Sequence, residues 1–163
     1  MTNSVVLVEG TSDEVAVRAL ASRLGRDLDA EGVAVVPIGG AQAIRRVLAT
    51  LPDASRAVGL CDEREAPGFE RALGDACFVC VRDLEDELVR AAGVERVLRV
   101  IEERGELSAF RTYQKQVAHR GRPLPEQLHG FMHNRKIEYA RLLVDALDLS
   151  RVPEPLAGLL ASV

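Results

Sequence analysis

The chain has 163 residues, 47% of them hydrophobic and 28% charged, with a formal net charge of −4. That is enough for one core of ordinary size and too little for two large independent domains. No apolar run approaches the roughly 20 residues of a membrane span. MTNSVVLVEG enters a strand directly, without the basic segment, apolar stretch and cleavage site of a leader, so a cytoplasmic protein with no membrane partner is expected.

The first element in chain order is VVLVEG (5–10), a continuous apolar run of the kind a fully buried parallel strand shows, and it stops at glycine. Thr11 and Ser12 are placed to cap a helix over 13–27, where Val15, Val17, Leu20, Ala21 and Leu24 recur near helical spacing and Asp13 and Glu14 favour the first turn. VAVVPIGG (33–40) is a second strand, AQAIRRVLATL a second helix and AVGLCD (57–62) a third strand. A short helix near 67–73 precedes a fourth strand, ACFVCV. This alternation predicts an α/β fold, a parallel sheet with helices on both faces.

After Asp83 the strand signals cease. DLEDELVRA, VERVLRVIEER, SAFRTYQKQVA and RKIEYARLLVDAL read as helices, RGRPLPEQ as a connection because of Pro123 and Pro125, and the tail beyond Arg151 as a last short helix. The organisation expected is a core over 1–92 and a helical extension over 93–163.

Acidic residues stand where three of these strands end: Glu9 with Asp13, Asp62, and Asp83 with Glu85 and Glu87. Ligands of open α/β sheets bind outside the carboxyl ends of the strands, so these carboxylates are expected in one crevice, as oxygen ligands for a hard cation such as Mg²⁺. Residues 108–141 carry Arg111, Lys115, Arg120, Arg122, Arg135, Lys136 and Arg141 against Glu126 and Glu138, a balance of +5 that leaves −9 for the remainder. An acidic half joined to a basic half suits a polyanion gripped in one place and met by metal in another; a solvated arginine-rich surface is the plain alternative. Of 21 basic residues only Lys115 and Lys136 are lysines.

Other candidates are weaker. Cys77 and Cys80 form C-x-x-C, but a strand points residues three apart to opposite faces, and with Cys61 they read as buried packing thiols. His129 and His133 lack the intervening glutamate of a zinc-protease helix and fit phosphate contact or a surface pair better. Gly39 and Gly40 either bring amides to a phosphate or serve a tight turn.

The ordered series V-L-V-E-G-T-S-D (6–13), V-P-I-G-G (36–40), G-L-C-D (59–62) and D-L-E-D-E-L (83–88) resembles a Toprim domain, the metal-binding fold of topoisomerases, primases and certain nucleases. Within that superfamily it resembles the Toprim module of OLD-type ATP-dependent endonucleases. It is similar, through R-K-I-E-Y-A (135–140), to small actinobacterial Toprim nucleotidyl transferase/hydrolase domain proteins. The resemblance implies a Mg²⁺- or Mn²⁺-dependent phosphodiesterase acting on nucleic acid, with DNA the expected substrate. It gives Glu9 the role of metal ligand or general acid/base, with Asp13 beside it. Asp62 becomes a central ligand, Asp83 and Glu85 the later acidic pair, and Lys136 an aid to catalysis.

One position departs from the pattern. Arg64 stands where the second aspartate of D-x-D would fall, so either Glu63 or Glu65 takes over that role or one metal position is weakened. No G-x-x-x-x-G-K-[ST] occurs, so ATP dependence calls for a separate ATPase partner. Nucleotidyl transfer, and a metal- or nucleic-acid-binding module of a larger defence or repair assembly, are the alternatives.

Overall fold

The computed structural model describes residues 4–52 and 55–163, and the leader reading at Met1–Asn3 lies outside them. Strands β1 (Ser4–Val8), β2 (Val33–Pro37), β3 (Arg56–Asp62) and β4 (Cys77–Cys80) form one sheet in the order β2-β1-β3-β4, with every pairing parallel. Val8 stands beside Pro37 on one side and Leu60 on the other. Glu9, one residue past β1, and Asp62, the last residue of β3, therefore emerge at the same edge of the sheet.

Alternation along the strands sorts the core into two layers. Val6, Val8, Val33, Val35, Val58, Leu60 and Cys80 face one side, and Val5, Leu7, Cys61, Cys77 and Val79 the other. Val5 to Val8 are at most 2% exposed, as expected for a central strand covered on both faces. The C-x-x-C pair is split as its spacing predicts, Cys80 in one layer and Cys77 in the other, and all three cysteines are free thiols.

The smaller layer is covered by α2 (Ile44–Leu48) and α3 (Ala66–Leu73), chiefly through Ile44, Ala66 and Phe69. Gly59 in β3 makes room for α3. A Cβ there would lie 2.6 Å from Leu73 Cδ1 and 2.7 Å from Phe69 Cδ1, an overlap of the sort that costs about 1–3 kcal/mol in a packed core.

The larger layer is covered by α1 (Thr11–Arg23), α4 (Leu84–Ala92), α5 (Val94–Glu103), α6 (Leu107–Lys115), α7 (Leu124–Met132), α8 (Lys136–Ala146) and α9 (Glu154–Ala161). Helix α8 lies along α1, and α9 lies against β3 and β4. One continuous core thus contains side chains from both 1–92 and 93–163. Arg23 Nη1 donates to the carbonyls of Val144 and Leu147 at 2.7 and 2.8 Å, capping the end of α8.

Three elements differ from the sequence reading. The cap of α1 is Gly10 in an extended conformation, with the Asp13 carboxylate accepting from its N–H at 2.9 Å; Thr11 and Ser12 are the first helical residues. The second helix is shortened to a 3₁₀ turn, Ala41–Ala43, followed by one and a half turns of α2. The stretch read as a connection starts α7 instead, with Pro123 at the cap and Pro125 in the first turn. Proline is tolerated there because first-turn amides have no intrahelical acceptor.

Candidate functional site

The turns leaving β1, β3 and β4 open into one cavity of about 400 Å³. Glu9, Asp13, Asp62, Glu65, Asp83 and Glu85 line it together with Arg64, His133 and Lys136.

Backbone amides hold most of these carboxylates in place. Glu9 Oε1 accepts from the N–H of Asp62, which ties the exit of β1 to the exit of β3. Asp62 Oδ1 accepts from the N–H groups of Arg64 and Glu65 at 2.7 and 2.9 Å, curling the chain immediately after β3. Glu65 Oε2 accepts from the N–H of Ala41 at 2.6 Å. It thereby occupies the amide exposed by the Gly39–Gly40 turn, where φ is +74° and +122°. Among the described residues, the second oxygen of Glu9, Asp13, Asp62 and Glu65 takes no protein hydrogen bond. Each of these side chains is oriented through one oxygen and keeps the other available.

The β4 exit is built differently. Arg82 adopts φ +68°, in the left-handed region, which costs a residue with a Cβ about 1–2 kcal/mol. Asp83 then caps α4, its Oδ1 accepting from the N–H of Asp86 at 2.8 Å. His129 Nε2, at the far end of α7, lies 2.8 and 3.0 Å from the two Asp83 oxygens and donates to them. Burial opposes ionisation of Asp83, but the bonds from His129 and Asp86 outweigh it and hold its pKa below the ordinary aspartate value. Glu85 Oε1 accepts from Ser12 Oγ of α1 at 3.4 Å. Glu87 stands apart, accepting from the N–H of Val81 at 2.8 Å and pairing with Arg90.

Of the two glutamates beside Arg64, Glu63 is exposed and does not line the cavity; Glu65 does. The turn closed by Asp62 Oδ1 makes that difference: of the two glutamates left open by the sequence, it brings Glu65 to the cavity and leaves Glu63 at the surface. The two histidines also divide: His129 is taken up by Asp83, and His133 lines the cavity with Lys136 three residues on. Lys136 begins α8, and its charge acts favourably on Asp13.

The carboxylates form an oxygen-rich set whose members disfavour one another's ionisation. Burial, followed by the charges of Asp62, Asp13 and Glu65, raises Glu9 from 4.5 to about 7, against the single lowering bond from the Asp62 amide. Burial and the charge of Glu85 raise Asp13 from 3.8 to about 6. These oxygens repel one another more than Lys136 relieves them, and hard cations take oxygen ligands of this kind. Among the described residues no three His, Cys, Asp or Glu side chains are already drawn together at ligand distance, so the carboxylates stand around the cavity rather than closed upon a point.

The electrostatics give an expected pH dependence. Both folded pKa values lie above the unfolded ones, so between about pH 4 and about pH 7 the folded, ion-free protein binds more protons than the unfolded chain, and stability falls as pH rises through that window. In EDTA, Tm is expected to decrease from about pH 5 to about pH 8. Mg²⁺ is expected to raise Tm more at the upper end than at the lower, and Glu9→Gln to flatten the profile. A Tm that rises over this range in wild-type protein contradicts the proton assignment.

A four-stranded parallel sheet flanked by helices, with acids gathered at the exits of its two central strands, defines a Toprim-like α/β domain. Residues 1–58 match the family model described as "Overcoming lysogenization defect protein-like, TOPRIM domain". The C-terminal region of the Burkholderia pseudomallei OLD protein superposes with a TM-score of 0.72 at 18% identity, covering 99% of this chain and 96% of that one. The C-terminal region of the Xanthomonas campestris pv. campestris OLD protein gives 0.70 at 23% identity, covering 98% and 91%. No curated protein is found that matches the chain. The first third of the chain thus matches an OLD-like Toprim model, and the whole described fold, including the C-terminal helices, resembles that of the OLD C-terminal regions. Among the described residues, no helix is long and apolar enough to cross a membrane.

Proposed function

We propose that this chain is a divalent-metal-dependent phosphodiesterase acting on nucleic acid, with DNA as its substrate. The observation that carries this reading is the meeting, in one cavity, of carboxylates from three strand exits with Lys136 and Arg64. Glu9, Asp13 and Asp62 are the residues that would hold the ion, each with one oxygen oriented by an amide and the other free. Glu65 and Glu85 stand beside them, while Asp83 becomes a donor only by giving up part of its bond to His129. When bound, Mg²⁺ or Mn²⁺ polarises a phosphodiester and makes water more acidic.

The chain's own groups supply the rest. Where Glu9 serves as general acid/base in place of metal ligand, its oxygen that takes no protein hydrogen bond is the one available to accept the proton of an attacking water. Lys136 stabilises negative charge developing on the phosphate as a compact point charge, and Arg64 offers a guanidinium fork that suits phosphate oxygens.

The test is incubation of supercoiled plasmid with purified protein in Mg²⁺ or Mn²⁺ and in EDTA. Nicking that requires the ion is the expected result. Protein that never cuts with any divalent ion overturns the reading, and DNA binding without turnover then identifies a binding module, for which Arg64 in the D-x-D position is the favouring observation. Incorporation of a labelled nucleotide into a primer identifies transfer instead. Adding ATP together with a separate ATPase partner forms a further arm, since the sequence contains no P-loop.

A further inference from the structure

The seven basic residues of 108–141 do not act as one surface. Arg135 pairs with Glu106, Arg141 lies 3.8 Å from Asp145, and Lys136 lines the cavity. The other four, Arg111, Lys115, Arg120 and Arg122, are exposed, and among the described residues none has a carboxylate within ion-pair distance. They occupy α6 and the turn before α7, a stretch with no Asp or Glu between Glu106 and Glu126. A concentrated, uncompensated positive charge in a chain of net charge −4 calls for a polyanion.

The arm is braced. Gln114 Nε2 donates to Gln127 Oε1 at 2.8 Å, Gln127 Nε2 donates to the His119 carbonyl at 2.9 Å, and the Tyr113 ring stacks on His119 with centroids 3.9 Å apart. Phe110 and Phe131 complete this aromatic group. The arm's aromatics are therefore spent on internal packing and offer no platform for unstacked bases, the usual grip on single strands. What faces solvent is guanidinium and ammonium, the groups that meet phosphate.

Helix α7 connects the arm to the cavity, beginning beside Arg122 and ending at His133. Its nine residues span about 13 Å, the rise of roughly four base pairs along a duplex.

We infer that the α6–α7 arm is a docking surface for the phosphate backbone of a nucleic-acid duplex, gripped independently of sequence through Arg111, Lys115, Arg120 and Arg122. The placement of its ligand relative to the cavity rests on the phosphodiesterase reading, but binding to the arm does not.

The experiment measures binding of a labelled 30-base-pair duplex by fluorescence anisotropy in EDTA across a salt series, so no turnover is involved. The unsubstituted chain is compared with R111A/K115A/R120A/R122A and with R71A/R99A, which removes exposed charge from α3 and α5; circular dichroism verifies folding. The four-fold variant is expected to lose at least about tenfold in affinity at low salt and to shallow the slope of log K against log salt by about 3–4. R71A/R99A is expected to leave that slope unchanged. Wild-type protein that does not bind the duplex, equal slopes for wild type and the four-fold variant, or an equal loss in R71A/R99A overturns the proposal. Tighter binding of a single-stranded 30-mer, or equal binding of polyglutamate, also overturns it. Failure to cleave plasmid leaves this measurement intact, and failure here leaves the cleavage assay intact.

Discussion

Asp62→Asn is expected to lower ion-dependent cleavage on the order of 10²–10⁴-fold, the range associated with loss of a group acting directly in the reaction. The substitution is informative because it spares the fold. Asparagine keeps an Oδ1 able to accept from the N–H groups of Arg64 and Glu65, so the turn after β3 stays closed. It removes one of the charges that raise Glu9, and Tm of the ion-free protein near neutral pH is therefore expected to rise while activity falls. Opposite signs in the two measurements separate a lost ligand from simple misfolding. An Asp62→Asn protein that cleaves like wild type removes Asp62 from the site.

Lys136→Met is the second large effect, an expected loss of about 10²–10³-fold in kcat, comparable to removing one preorganised electrostatic donor. The loss is expected in kcat with KM little changed, because the lysine meets charge that develops during reaction. Lys136→Arg is expected to recover only part of it, since a broad guanidinium fork does not reproduce a compact ammonium. Lys136 is exposed at the first position of α8, where methionine leaves the core untouched. A KM effect alone would reassign the residue to substrate binding.

How far this was readable from sequence depends on what fixed each side chain. Strands were plain because Val5–Val8 and Val58–Cys61 are continuous apolar runs covered from both faces, and a run that stops at an acid marks where a strand meets solvent. Glu9 and Asp62 followed from that alone, and Asp83 from standing three residues past β4. The choice of Glu65 over Glu63 did not, because the two are two residues apart in a turn and only the Asp62 hydrogen bonds decide which one reaches the cavity. The His129–Asp83 contact spans 46 positions and has no local signature. Helix α7 was hidden by its prolines, which mark both connections and first turns. The basic segment was visible as charge, but its division into paired, cavity-lining and free residues needed the packing of α6 and α8.

The cover that α8 and α9 give to α1 and the sheet has a consequence for how the chain reaches its native state during synthesis. Arg23 donates to carbonyls 121 and 124 positions away, and Arg26 to the Leu160 carbonyl 134 positions away. The strands and α1 are made before α8 and α9, so the surfaces that α8 covers on α1 and α9 covers on β3 and β4 stay open until those helices appear. Contacts this distant in sequence pay their loop-closure entropy late and slow folding. The nascent first half passes through a stage with bare strand surface, the kind of species on which chaperones act.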